Sequence, residues 1–308
     1  MGVQNEPFLP AKQWQAQVSY QYGDANDFYV GDQRDDSAAP FGIPPHRTVS
    51  LINLDILYGV SDRLNLDLTV PFAAGGAAVA LPNSDSYGIY RTHASGLGDV
   101  SLQAEYWLSN PAIPSRVTGS VGLGIKAPTG DDDVRTTFPG GAQAPIDESA
   151  QLGTGGWDLL LRAQGTVQID GPLFAYASGY YGVSLEEHTD VLNFDALRAV
   201  PDTYSGRLGA AYVLPVLEGL VVSLGGRING VTVTDLIGGG DLYWRRPGYV
   251  IYVEPGLTWT FGRTMASLSV PVRTYAVKID SPLDRTKDRK IGASFASYLL
   301  LASVARRF

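Results

Sequence analysis

The chain has 308 residues, among them 36 glycines, 19 prolines and no cysteine, and a formal net charge of −8. The lack of cysteine removes disulfide frameworks, thiolate metal sites and cysteine nucleophiles. An acidic chain without a long basic block excludes nucleic acid as the expected partner. No run reaches the ~20 apolar residues of a membrane helix, yet a mean hydropathy near zero is also what membrane strands of alternating polarity produce.

The opening residues, MGVQNEPFLPAKQW, carry no apolar signal core. An exported chain would therefore have shed its leader, and residues 1–11 read as a periplasmic segment ahead of a unit spanning 12–308. From there period-2 patterning runs to the end, with no helical stripe. Trp14, Ala16, Val18, Tyr20 and Tyr22 alternate with polar residues, as do Leu64, Leu66, Leu68, Val70 and Phe72, and Val100, Leu102, Ala104, Tyr106 and Leu108. The pattern predicts twelve strands, at 12–23, 47–59, 63–74, 98–109, 115–127, 155–169, 173–186, 203–214, 219–233, 248–261, 265–279 and 291–307. Most exceed the ~9–11 residues a tilted strand needs to cross a bilayer.

The connections alternate strictly. Long ones at 24–46, 75–97, 128–154, 187–202, 234–247 and 280–290 are separated by short ones at Gly59–Asp62, Ser109–Pro114, Asp170–Pro172, Pro215–Glu218 and Gly262–Thr264. Short turns at one end and long loops at the other predict an all-β, transmembrane, antiparallel up-and-down β-barrel of about 12 strands. Closure satisfies every backbone group that lipid cannot. The expected setting is the bacterial outer membrane, with both termini on the short-turn, periplasmic side. Trp14, Tyr58, Tyr106, Tyr212, Trp157 and Trp259 fall near strand ends on the apolar face, where an aromatic girdle sits. The terminal Phe308, preceded in steps of two by Arg306, Val304, Ala302, Leu300 and Tyr298, resembles the signal read by the barrel assembly machinery, with Arg306 departing from the usual apolar residue.

Three glycine-rich motifs line up at the long-loop ends of neighbouring strands: Gly96-Leu97-Gly98-Asp99-Val100, then Val121-Gly122-Leu123-Gly124-Ile125 running into Lys126-Ala127-Pro128-Thr129-Gly130-Asp131, then Gly153-Thr154-Gly155-Gly156-Trp157-Asp158. Together they resemble the bacterial outer-membrane transporter family labelled the MetA-pathway of phenol degradation; Gly156 stands where that pattern has serine. The resemblance covers about 96–170 and implies an outer-membrane channel for small, aromatic or hydrophobic, compounds. By strand parity Asp99, Lys126 and Asp158 face inward at similar height, as a salt-bridge brace or a polar gate at the rim.

The same parity turns Asp55, Asp67, Glu105 and Glu254 into the lumen, together with Arg162, Arg207, Arg227 and Arg273. Opposed acidic and basic walls predict a narrow hydrated lumen with a transverse field, or one cross-linked nearly shut. Residues 1–11 or an infolded loop could also plug it. Acids in the long loops, Asp24, Asp27, Asp32, Asp35 and Asp36, then Asp131, Asp132 and Asp133, read as a solvated surface or a weak divalent-cation site near lipopolysaccharide.

His93 and Ser95 repeat the His-x-Ser spacing of outer-membrane lipid hydrolases, but Gly96 breaks the expected continuation and no third catalytic member is evident. An extended fourth strand would turn both residues inward with Asp99, away from lipid. His46 and His188 lack metal-ligand spacing, and no metal or cofactor is indicated. The expected function is passive passage of small solutes. The alternatives are a closed barrel that binds a partner through its acidic loops, and a lipid hydrolase using His93 and Ser95. Lipid, lipopolysaccharide and a small solute are the expected partners.

Overall fold

The computed structural model describes residues 8–83, 86–113, 115–193, 195–238 and 242–308. They form a closed antiparallel barrel of twelve strands: β1 (Trp14–Ala25), β2 (His46–Gly59), β3 (Leu64–Asn83), β4 (Ser86–Leu97 and Ser101–Trp107), β5 (Val117–Lys126), β6 (Asp158–Asp170), β7 (Leu173–Ser184), β8 (Thr203–Val213), β9 (Leu220–Val231), β10 (Gly248–Phe261), β11 (Thr264–Ser269 and Val272–Lys278) and β12 (Tyr298–Arg307). Each strand pairs with the next, and β1 closes on β12 from Gln15↔Arg307 to Asp24↔Tyr298. Of the expected 1–11 segment, residues 1–7 lie outside the described residues.

The outward face is apolar over the middle of the wall. Val18, Leu54, Leu102, Leu123, Leu208, Leu224 and Val304 are all exposed there, an arrangement that is stable only against lipid. Aromatic residues border the band. Trp14 stacks on Tyr58 at 4.4 Å between ring centroids at the short-turn end, and Tyr22 meets Tyr298 at 6.2 Å at the other. Eight residue steps of β1 lead from Trp14 to Tyr22, roughly 20 Å along the axis of a tilted strand.

Three expectations about the chain path are corrected. The segment 75–97 is not a loop: β3 runs on to Asn83 and returns from Ser86, paired from Phe72↔Leu97 to Asn83↔Ser86. Its glycines and alanines resemble a loop in composition, but small residues pair in a ladder as any others do. Secondly, β4 and β11 are each interrupted, at 98–100 and at 270–271, the second beside Pro271, which cannot donate to a ladder. Thirdly, the last strand begins only at Tyr298, because a helix, α1 (Pro282–Thr286), capped by Ser281, and irregular chain precede it.

The interruption of β4 has a further effect. A bulge reverses which face a residue occupies. Below it Gln103 and Glu105 are buried in the lumen, whereas above it Thr92 and Ala94 are buried and His93 and Ser95 are exposed. The expected inward placement of His93 and Ser95 is therefore wrong: they point out of the barrel.

Candidate functional site

The eight charged residues assigned to the lumen by parity all point into it, but they divide unevenly. On β8–β11 the interior is filled. Glu254 receives Arg227 Nε at 2.7 Å, Arg207 Nη2 at 2.9 Å and Ser269 Oγ at 2.9 Å. The guanidinium of Arg207 also lies 5.5 Å from the centre of the Tyr176 ring, and Tyr176 spreads over Gly209 and Gly225, where any Cβ would collide with its hydroxyl. Arg273 is bound by Asp27, which comes from the first long loop and is buried. Glu254 and Asp27 thus sit inside the arginine side, and the expectation of opposed acidic and basic walls is corrected: one side is a neutralised, packed cluster. Burial of these charges requires it, since an unpaired ion in a low-dielectric interior is costly.

The other side stays open. A cavity of about 220 Å³ is lined by Gln17, Asn53, Asp55, Asp67, Arg162 and Tyr180, with Asp99 and Lys126 toward the rim. Asp55 accepts hydrogen bonds from Gln17 Nε2 at 3.2 Å and Thr69 Oγ1 at 2.8 Å. Glu105 lies deeper, bonded by Ser120 and by Gln164 Nε2 at 3.3 Å. The two inward glycines of β5 explain how this side fits together. A Cβ at Gly122 would meet the Glu105 carboxylate, and one at Gly124 would meet Gln103 and the Leu102 carbonyl. Gly122→Val is therefore expected to lower the yield of refolded, heat-modifiable barrel sharply, whereas Leu123→Val, on the lipid face, is expected to leave it unchanged.

At the extracellular rim Lys126 Nζ lies 2.8 Å from Asp158 and 3.3 Å from Asp99 and also bonds Thr154. Asp99 further accepts from the backbone N–H of Gly130 at 3.0 Å and Thr154 at 2.9 Å, and Thr129 Oγ1 donates to the Gly98 carbonyl at 2.8 Å. The three glycine-rich motifs thus converge on one knot that ties the ends of the 127–157 loop to β4–β6. Gly130 and Gly153 pass so closely that neither could carry a side chain without a shift of backbone.

From that knot the loop folds back over the mouth. Ile146 and Ala150 pack on Ala94, with Leu152 beside them, and Gly75 lies directly under Ala150. Asp147 receives Arg47 through both carboxylate oxygens, at 3.1 and 2.8 Å, and Arg246 at 3.6 Å; Arg47 also reaches Ser294 at 2.8 Å. This carboxylate so joins the β2 end to two loops, and Arg47 adds a third through Ser294. Arg198 pairs with Asp132 at 2.6 Å and joins two neighbouring loops, and Arg245 pairs with Asp235 at 2.6 Å within the loop between β9 and β10. The loop acids expected to be solvated are in large part consumed in this lattice. Asp24 bonds His46 at 2.8 Å, Asp36 bonds Arg34 and Asp133 bonds Arg135, while His188 stacks on Tyr243 at 4.2 Å.

Burial disfavours charge on Asp147, but Arg246 and Arg47 outweigh it and hold its carboxyl well below the ordinary value. Its folded pKa is depressed, so its contribution is present above the unfolded value of about 4 and is lost only as pH falls below that. Protease resistance of the loops is therefore expected to be equal at pH 7 and pH 5, and Asp147→Ala is expected to shorten the survival of intact loops several-fold at both.

Residues 8–12 fold against the periplasmic mouth. Leu9 is fully buried there. The Asn65 side-chain amide donates to the Leu9 carbonyl at 3.0 Å and accepts from the Leu9 N–H at 3.1 Å. Phe8 meets the inward Trp107 edge-on at 5.8 Å, Pro10 rests on Gly59, and Lys12 donates to the Gly59 carbonyl at 2.7 Å. Asn65 was within reach of sequence parity as an inward polar residue. Asp147, in mid-loop, was not.

No protein-family model matches the chain, and no curated protein sequence does. Among solved structures, the COG4313 outer membrane channel from Pseudomonas putida F1 superposes with a TM-score of 0.65 over 99% of this chain and all of its own, at 16% identity. The chain shares the β-barrel fold of that structure. The translocator domain of the autotransporter NalP from Neisseria meningitidis superposes with a TM-score of 0.50 over 97% of this chain and 90% of its own, at 12% identity. At such identities the likeness establishes the barrel architecture.

Proposed function

We propose that the protein is a bacterial outer-membrane channel for passive passage of small solutes and not an enzyme. The observation that carries this reading is the cavity of about 220 Å³ on the β1–β7 side of the lumen. It is smaller than the ~300–1,000 Å³ pockets that hold drug-sized ligands, so it suits a small molecule. Tyr180, Leu51, Leu160 and Leu301 give it an apolar side beside its carboxylates and Arg162, which admits the aromatic or hydrophobic solutes that the motif resemblance implies. Mouths held by a short strap and by ion pairs fit a gated path better than a wide pore. In proteoliposomes the protein should speed the efflux of small solutes well above that of empty liposomes and leave a trapped disaccharide inside. Equal retention of both would reject the channel.

The hydrolase alternative gains the correct face, since His93 and Ser95 point outward. It still lacks its machinery: among the described residues neither side chain has a hydrogen-bond partner, so nothing orients the imidazole as a base. The Phe308 side chain is exposed and its N–H bonds the Trp14 carbonyl at 2.9 Å, an arrangement that supports the proposed reading of the C-terminus by assembly machinery.

A further inference from the structure

We infer that the outer wall of the barrel, at the extracellular end of β2–β4, seats the phosphorylated sugar head group of an outer-leaflet glycolipid, the lipid A part of lipopolysaccharide. The inference rests on the outer-membrane setting and is independent of what crosses the lumen. It starts from His93 and Ser95, which the bulge at 98–100 turns to the outside, where the lumen makes no use of them. There β4 carries Ser95, His93 and Arg91 on its outward face, all exposed. Their ladder partners on β3 are Ala74, Gly76 and Ala78. The next residues across, on β2, are Ser50, Thr48 and His46. Small residues in the middle strand leave a trough between two taller rows, roughly 10 Å from backbone to backbone. Thr48 Oγ1 leans over its floor, 3.1 Å from where a Cβ on Gly76 would stand.

The surroundings of the trough and its charge select the occupant. One step toward the membrane the same three strands present Ile52, Phe72 and Leu97, all exposed, so acyl chains lying on this wall lead straight into the trough. Its two sides differ. On the β2 side His46 is held by Asp24 at 2.8 Å, and Asp24 also accepts from the Tyr22 hydroxyl at 3.3 Å. That side is balanced in charge and offers hydroxyls: Thr48, and Ser50 with the Tyr20 hydroxyl 3.5 Å from it. On the β4 side neither Arg91 nor His93 has an ion pair among the described residues, whereas Arg47, Arg198, Arg245 and Arg246 are consumed in the loop lattice. A guanidinium takes a phosphate through two parallel N–H donors, and His93 and Ser95 stand beside it to share that anion. A head group of phosphate and sugar hydroxyls above acyl chains matches all three parts. Phosphatidylglycerol supplies phosphate and acyl chains but no sugar ring for the β2 hydroxyls.

The test adds bis-phosphorylated lipid A to the refolded full chain in detergent and reads the lipid retained by native mass spectrometry, with phosphatidylglycerol at the same concentration as the second probe. Lipid A is expected to be retained several-fold better than phosphatidylglycerol. Arg91→Ala combined with His93→Ala should abolish that advantage, and so should Ala74→Trp, which fills the floor of the trough without changing its charge. Arg263→Ala, at an exposed cation of a periplasmic turn, should keep it. Equal retention of the two lipids by the unsubstituted protein would overturn the inference. So would an advantage that survives the double substitution or Ala74→Trp in barrels shown to be folded by heat-modifiable migration, or one that is lost in Arg263→Ala. Release of lipid A stripped of an acyl chain would also overturn it, by making the trough a catalytic site. None of these substitutions touches the lumen, so each of these failures leaves the channel reading to its own test.

Discussion

Asn65→Ala is expected to open the periplasmic mouth. The residue holds Leu9 through a donor and an acceptor on one amide, so the substitution removes two hydrogen bonds. At about 0.5–1.5 kcal/mol each, their loss shifts the balance between docked and released strap by about 1–3 kcal/mol, or about 5- to 150-fold. Single-channel records should show longer open periods and larger mean current. Removal of residues 1–12 should give the upper limit of the same effect, because it also takes away the Phe8 contact with Trp107 and the burial of Leu9. If conductance were identical in the intact, Asn65→Ala and shortened proteins, the strap would not lie on the conduction path.

The second large effect is at the packed wall. Glu254→Leu leaves Arg207 and Arg227 without the carboxylate that each bonds within 3 Å. Breaking a buried ion pair from one side costs about 3–5 kcal/mol, whereas replacing both members by apolar groups of similar volume can be neutral. The single variant should therefore unfold at much lower temperature in a heat-modifiability series. Glu254→Leu combined with Arg227→Met should recover a large part of the loss, with Arg207 still against the Tyr176 ring. A single variant as stable as the parent would show that the cluster adds little to the wall.

Much of the barrel was legible because period-2 alternation and loop length both follow from a closed sheet in lipid. β1, β2, β5 and β10 begin and end within a few residues of where the alternation does. What was not legible has specific causes. The first limb of the 72–97 hairpin, Ala73 to Ala80, is built from residues too small to show polarity alternation. The bulge at 98–100 adds a residue to the ladder without any signature besides glycine, and it turned His93 and Ser95 to the face opposite the one parity assigned. The inward direction of Asp55, Asp67, Glu105 and Arg162 could be read from one strand at a time. The alliance of Glu254 with Arg207 and Arg227 depends on how long side chains reach across strands, and that of Asp27 with Arg273 on a loop folding inward. Asp147 was not legible because nothing in a loop sequence says which arginines the fold will bring to it.

The proposed channel requires a gated path for small solutes through this lumen. Current through the refolded protein in a planar bilayer tests it most directly, recorded for the intact chain and for residues 13–308 side by side. Small, discrete steps are expected for the intact chain, larger and steadier ones for the shortened chain, and altered ion selectivity on Asp67→Lys. Electrical silence of both proteins, once correct insertion is confirmed by heat-modifiable migration, would contradict it.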